Sequence, residues 1–104
     1  MSFRGDDVQN EKYIWDENKN IINIQKHSVS FTEAWTVFDD EFSVCIPDNE
    51  HSYHEERFTI IGESIFKKLL MVCYCERENT ELVRIISARR ADKYDKEIYY
   101  GGEV

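Results

Sequence analysis

The sequence predicts an α+β domain: two helices near the N-terminus, a small antiparallel sheet after them, and a third helix that closes the chain. Ser30 and Glu33 stand three apart at the head of an apolar stripe, Phe31, Ala34, Trp35 and Phe38, spaced as one face of a helix. Between Ser43 and Ser87, short runs rich in β-branched and aromatic residues succeed one another with no helical period between them. A last helical stripe, Ala91, Tyr94, Ile98 and Tyr99, runs into Gly101-Gly102. Helices and strands in blocks, rather than in βαβ alternation, favour an antiparallel sheet.

Taken in order, Met1 to Glu11 is polar and aperiodic and reads as a flexible tail, leaving residues 12–104 as one domain. Tyr13-Ile14-Trp15 is a short apolar strand. Asp16 caps a first helix that runs to about Lys26, with Ile21 and Ile24 expected inward and the Asn and Lys residues outward. In the second helix Ser30 and Glu33 suit a capping box, and Val29 and Ala34 a hydrophobic staple. Asp39-Asp40-Glu41 oppose the dipole at its C-terminus and predict an early stop. Strands follow over Ser43–Ile46, Arg57–Gly62, Leu69–Cys75 and Glu81–Ser87, with a polar loop from Asp48 to Glu55 and a hairpin turn over Glu76–Thr80. Leu69–Cys75 is apolar on both faces, as a covered central strand should be. The last helix is expected over Arg90–Tyr100.

At 104 residues, 41% hydrophobic and 33% charged, the chain has the make-up of one globular domain. No apolar run approaches the ~18 residues of a membrane span. The opening residues lack a secretory apolar stretch, so the cytoplasm is the expected location. Cys45, Cys73 and Cys75 read as buried free thiols, with Cys73 and Cys75 on one strand face. Net charge is −8, which disfavours general affinity for nucleic acid. The charge is unevenly distributed: Glu33 to Glu56 holds eight acidic residues and no Lys or Arg, while Arg84 to Lys96 holds five basic residues against Asp92 and Asp95. A basic site on an acidic body suits local phosphate binding.

Several residues carry chemistry. Lys26-His27 end the first helix, where cations suit the dipole, and a histidine transfers protons near neutral pH. Arg84 interrupts an apolar strand and needs either a carboxylate partner or a phosphate. Arg89-Arg90, at the expected start of the last helix, oppose its dipole unless an anion binds there, which suggests a phosphate cradle. Glu56-Arg57 pairs a candidate base with a clamp, although such a dipeptide is more often an exposed pair. His51-x-x-His54 has metal-compatible spacing but no supporting second motif, so no metal or cofactor is expected.

In order, Tyr13-Ile14-Trp15-Asp16-Glu17-Asn18-Lys19, Lys26-His27-Ser28-Val29-Ser30-Phe31, Ala34, Val37-Phe38-Asp39-Asp40, Glu56-Arg57, Gly62 and Arg84-Ile85-Ile86-Ser87-Ala88-Arg89 together resemble the BrnT family of bacterial toxins, within the RelE-like group of small ribonucleases. The resemblance spans about Tyr13 to Tyr99. It implies a RelE-like fold, metal-independent endoribonuclease activity that inhibits translation, and neutralisation by an antitoxin. That antitoxin would carry a ribbon-helix-helix DNA-binding part and alone bring the toxin to operator DNA. By matching position, it implies Lys26, His27, Glu56, Arg57, Arg84 and Arg89 as site residues. Asp95 stands where the family usually has Glu, Tyr99 matches a common Tyr, and Ser28 replaces a helix-terminating Gly. The expected reaction is attack of the ribose 2′-OH on the adjacent phosphate, with His27 or Glu56 as base or acid, Arg57, Arg84 and Arg89 on the phosphate, and Lys26 and Arg90 on the RNA. Rival readings are a catalytically degenerate module that only pairs with an antitoxin-like partner, a nucleic-acid-binding regulator, and a metal-dependent enzyme.

Overall fold

The computed structural model describes residues 7–9, 12–52, 55–76 and 81–101, with the side chains of 7–9 and His51 excepted. Elements run in the order β1 (Asp7–Gln9), β2 (Tyr13–Asp16), α1 (Glu17–His27), α2 (Phe31–Thr36), β3 (Val44–Pro47), β4 (Arg57–Glu63), β5 (Leu69–Glu76), β6 (Val83–Arg90) and α3 (Lys93–Tyr99). This is the expected α+β class. The sheet has strand order β1-β2-β6-β5-β4-β3. It is mixed rather than purely antiparallel, because β2 lies parallel to β6, with Ile14 opposite Arg84. That pairing joins the two ends of the chain, and local periodicity carries no signal for it. Asp7–Gln9, within the expected tail, pairs antiparallel with β2.

Helix α1 begins where expected. The Asp16 carboxylate accepts from the backbone N–H of Asn18 at 2.8 Å and of Lys19 at 3.4 Å. Its buried face, however, is the reverse of the expected one. Asn20 and Asn23 are only 8% and 6% exposed, whereas Ile21, Ile22 and Ile24 are 43–50% exposed. The reason lies in the sheet. Pairing of β6 with β2 involves Val83 and Arg84 and does not reach Ala88, whose backbone needs another partner. Asn23 supplies it: its Nδ2 donates to the Ala88 carbonyl at 2.8 Å, and its Oδ1 accepts from the Ala88 N–H at 3.1 Å. The same Nδ2 donates to the Val29 carbonyl at 2.9 Å, while Asn20 Oδ1 accepts from Phe31 N–H at 2.8 Å. Polar side chains thus face inward because they complete backbone bonding that water cannot reach.

The helix ends at Ser28, which takes a left-handed conformation (φ 57°, ψ 30°) and donates its N–H to the Ile24 carbonyl at 2.9 Å. Serine therefore keeps the turn that a glycine would form without a Cβ penalty. Ser28→Gly should stabilise the domain by about 0.5–1 kcal/mol, the relief of left-handed strain less the extra freedom of glycine in the unfolded chain. Urea titration checks this, and a loss of stability would refute it.

In α2, Ser30 Oγ accepts from Glu33 N–H at 3.0 Å, so the N-cap half of the capping box forms. The reciprocal half does not, because the buried Glu33 carboxylate accepts from Ser64 Oγ at 2.7 Å. Val29 and Ala34 are both fully buried, and the stripe Phe31, Ala34, Trp35 and Phe38 faces the core as expected. The early stop occurs: after Thr36 the chain tightens to a 3-10 turn over Val37–Asp39. Strands β3 to β5 lie within two residues of their expected bounds, and β5 is central. The turn residues 77–80 lie outside the described residues.

Strand β6 continues to Arg90, and α3 starts at Lys93 rather than Arg90. Ala91 N–H still donates to the Leu69 carbonyl at 2.9 Å, which keeps the segment on the sheet. Asp92 is the N-cap, and with Asp95 it makes a reciprocal capping box. Gly101, at φ 78°, follows the helix end as expected. Of the thiols, all free, Cys75 is buried and Cys73 partly so, but Cys45 is exposed, contrary to expectation, with its Sγ 3.0 Å from Tyr74 Oη. Among the described residues no helix is long and apolar enough to cross a membrane.

Candidate active site

The antiparallel register sorts the side chains of β4, β5 and β6 into two faces. Ile60, Val72 and Ala88 lie in one cross-strand row and build the core against α2. On the other face, Arg57 stands opposite Cys75, and Cys75 opposite Arg84, whose β2 neighbour is Ile14. Arg57 and Arg84 are therefore two strands apart in one row, roughly 10 Å between their Cα atoms at ~4.8 Å per strand. Arginine is long enough for both guanidinium groups to reach one phosphate over Cys75. A bulge in the β5–β6 pairing follows, where Cys73 faces Ser87 but Tyr74 faces Ile85, so Ile86 is the extra residue. The bulge returns Ser87 and Arg89 to the face of Arg84. Arg89 stands opposite Met71, and Met71 opposite Ile61.

The expected cradle at Arg89-Arg90 is not built as a helix terminus, since both residues lie in the strand. The anion that satisfies Arg89 is the protein's own: Nη1 lies 2.7 Å from Asp95 Oδ2 and 3.6 Å from Asp92 Oδ2. Asp95 Oδ2 also accepts from Asp92 N–H at 3.0 Å. Arg89 is held in one orientation while staying a third exposed, whereas Asp95 is buried. Arg90, opposite Leu70, falls on the core side of the sheet, where it is exposed at the strand end, away from the other three arginines.

Lys26 and His27 are exposed in the last turn of α1. Because Asn23 is fixed to Ala88 and the helix advances ~1.5 Å per residue, this turn lies toward the Arg89 end of β6. Glu56 is exposed at the other end, just before Arg57, and its carbonyl accepts from Glu76 N–H at 3.3 Å. Four residues of β4 separate the Arg57 row from the Ile61 row, roughly 13 Å at ~3.3 Å per residue. His27 and Glu56 therefore lie toward opposite ends of the sheet.

The second structured region was legible only as a helix stop. Asp40 ties three segments together: Oδ2 accepts from Glu63 N–H at 2.8 Å and from Tyr99 Oη at 2.7 Å, and Oδ1 from Phe42 N–H at 3.0 Å. A Cβ on Gly62 would come within 2.8 Å of Val37 Cγ1 and 3.2 Å of Asp40 Oδ2, so the close approach requires glycine. Burial alone would raise the Asp40 pKa, but the bonds from Glu63, Tyr99 and Phe42, with the Lys67 charge, bring it below the usual carboxylate value. Burial and the Asp40 bond push the Tyr99 hydroxyl up. A depressed carboxylate pKa stabilises the fold above about pH 4 and loses that contribution as pH falls through the folded value. Asp40→Asn should cost about 1–2 kcal/mol at neutral pH, and the gap from wild type should close at lower pH. Denaturation at pH 7 and pH 3 tests this, and a gap that widened in acid would refute it.

His54 and the side chain of His51 lie outside the described residues. Among those described, no group of three or more His, Cys, Asp or Glu side chains is placed to hold a metal ion.

The mixed sheet and its three helices define a small α+β domain. The family described as "Ribonuclease toxin, BrnT, of type II toxin-antitoxin system" matches residues 15–95, and the chain belongs to it. A 1.1 Å crystal structure of the Brucella abortus ribonuclease toxin, BrnT, is similar to the chain with a TM-score of 0.61 at 26% identity, over 81% of this chain and 100% of that one. No curated protein matches the chain.

Proposed function

We propose that this chain is a metal-independent endoribonuclease that uses the ribose 2′-OH as nucleophile and is neutralised by an antitoxin. One observation carries the reading: the register sets Arg57 and Arg84 in one row, with Arg89 on the same face. Cleavage by this route moves a proton from the 2′-OH, builds negative charge on the phosphorane and delivers a proton to the departing 5′ oxygen. Arg57 and Arg84 hold the reacting phosphate and stabilise the added charge. Glu56, next to Arg57 in sequence, is the candidate proton-transfer group at that end of the sheet. Arg89, Lys26 and His27 hold the RNA at the far end of the face. The products are a 2′,3′-cyclic phosphate and a 5′-OH, and a strand without 2′-hydroxyls is inert. Location in the cytoplasm, inhibition of translation and an antitoxin with a ribbon-helix-helix part belong to the same reading.

A second reading, a degenerate module that only pairs with its antitoxin, is favoured by the Arg89–Asp95 pair at 2.7 Å and the net charge of −8. Incubation of the purified chain with a defined RNA in EDTA separates the two. Cleavage ending in cyclic phosphate, absent on the matching DNA, supports the ribonuclease. No cleavage across a range of salt concentrations supports the binding module.

A further inference from the structure

A cleft of about 700 Å³ opens between the 3-10 turn after α2, the turn that follows β4, and α3. Its wall mixes acids with large apolar side chains: Asp39, Glu41, Glu63, Phe42, Ile65 and Tyr99. Phe42 and Ile65 are 70% and 68% exposed. Among the lining residues, Lys67 is the one cation, and it is bridged to Glu63 at 3.5 Å.

The wall is preorganised. Asp40 fixes Phe42, Glu63 and Tyr99 as described, Ser64 Oγ donates to the buried Glu33, and Ile65 N–H donates to Thr36 Oγ1 at 2.9 Å. A preformed groove costs little ordering on binding. Exposed aromatic and branched side chains beside it mark an interaction surface. The charge decides the occupant: carboxylates repel a phosphate backbone and attract Lys and Arg.

We propose that this cleft docks a basic amphipathic segment of a protein partner, with apolar side chains over Phe42 and Ile65 and cations against Asp39 and Glu41. The proposal takes from the reading above that a protein partner exists, but it does not depend on RNA cleavage.

The test is titration of the ¹⁵N-labelled chain with a 14-residue peptide carrying Leu at i, i+3, i+4 and i+7 and Lys elsewhere. Amide shifts are expected at Phe42, Glu63, Ile65 and Lys67. Asp39→Lys with Glu41→Lys should weaken binding at least tenfold while the spectrum stays dispersed, and Ile21→Ser with Ile24→Ser on α1 should not. Shifts that map elsewhere, affinity unmoved by the double substitution, no binding, or a short RNA shifting the same amides would each overturn the proposal. RNA cleavage by the same samples keeps the two readings apart. Cleavage without docking refutes the docking alone, and docking without cleavage refutes the ribonuclease alone.

Discussion

Arg84→Ala is expected to lower RNA cleavage by on the order of 10²–10³-fold, the effect of removing one charged donor from a phosphorane site. Arg84 sits in the centre of the face, on β6 between Ile14 and Cys75. Arg57→Ala should act in the same range, because both share one row. Arg89→Ala is less direct: it removes a cation and also strips the buried Asp95 of the guanidinium 2.7 Å away. Its melting temperature should fall along with its rate, whereas a surface clamp would lose rate alone. Initial rates on a defined RNA, with melting curves for each variant, decide the matter. Wild-type rates for Arg84→Ala would remove the arginine row from the mechanism.

The largest effect on stability is expected at Asn23. Asn23→Leu, close in size and better suited to a buried position, strips partners from the Val29 carbonyl and from both backbone groups of Ala88. Each buried backbone group left unsatisfied costs about 1–3 kcal/mol, and burial of the leucine side chain offsets part of the three losses, so the substitution should cost about 3–5 kcal/mol. The melting temperature should fall by on the order of 20 °C for a domain of this size. A change under about 1 kcal/mol would mean that water replaces the amide at the edge of β6. Ile24→Ser, on the exposed face of the same helix, should change stability little.

The contrast between Asn23 and Ile24 marks how far the sequence could be read. Apolar periodicity assumes that a helix buries its oily side, and α1 instead buries the asparagines that complete the bonding of β6. No local pattern distinguishes an asparagine on the surface from one that replaces a missing strand. The arginines show the same division. Arg57 and Arg84 were legible as strand residues, Arg89 was expected at a helix start instead, and the resemblance singled out all three. Their shared face depended on the register of β4 with β5 and of β5 with β6, and on a bulge at Ile86 that a simple two-residue alternation does not contain.

What the sequence determined by itself was what short-range chemistry fixes. Asp16 and Ser30 start their helices because their side-chain oxygens satisfy the first free N–H groups. The Phe31–Phe38 stripe finds the core, the α+β class follows from the order of the segments, and the combined motifs indicate the family. Tertiary structure alone decided the parallel pairing of β2 with β6, the inward turn of Asn20 and Asn23, the partner of Arg89 and the Asp40–Tyr99 bond. Each of these depends on a contact between residues distant in the chain, whose free energy is set by burial and by which backbone groups are left unpaired once the sheet has formed.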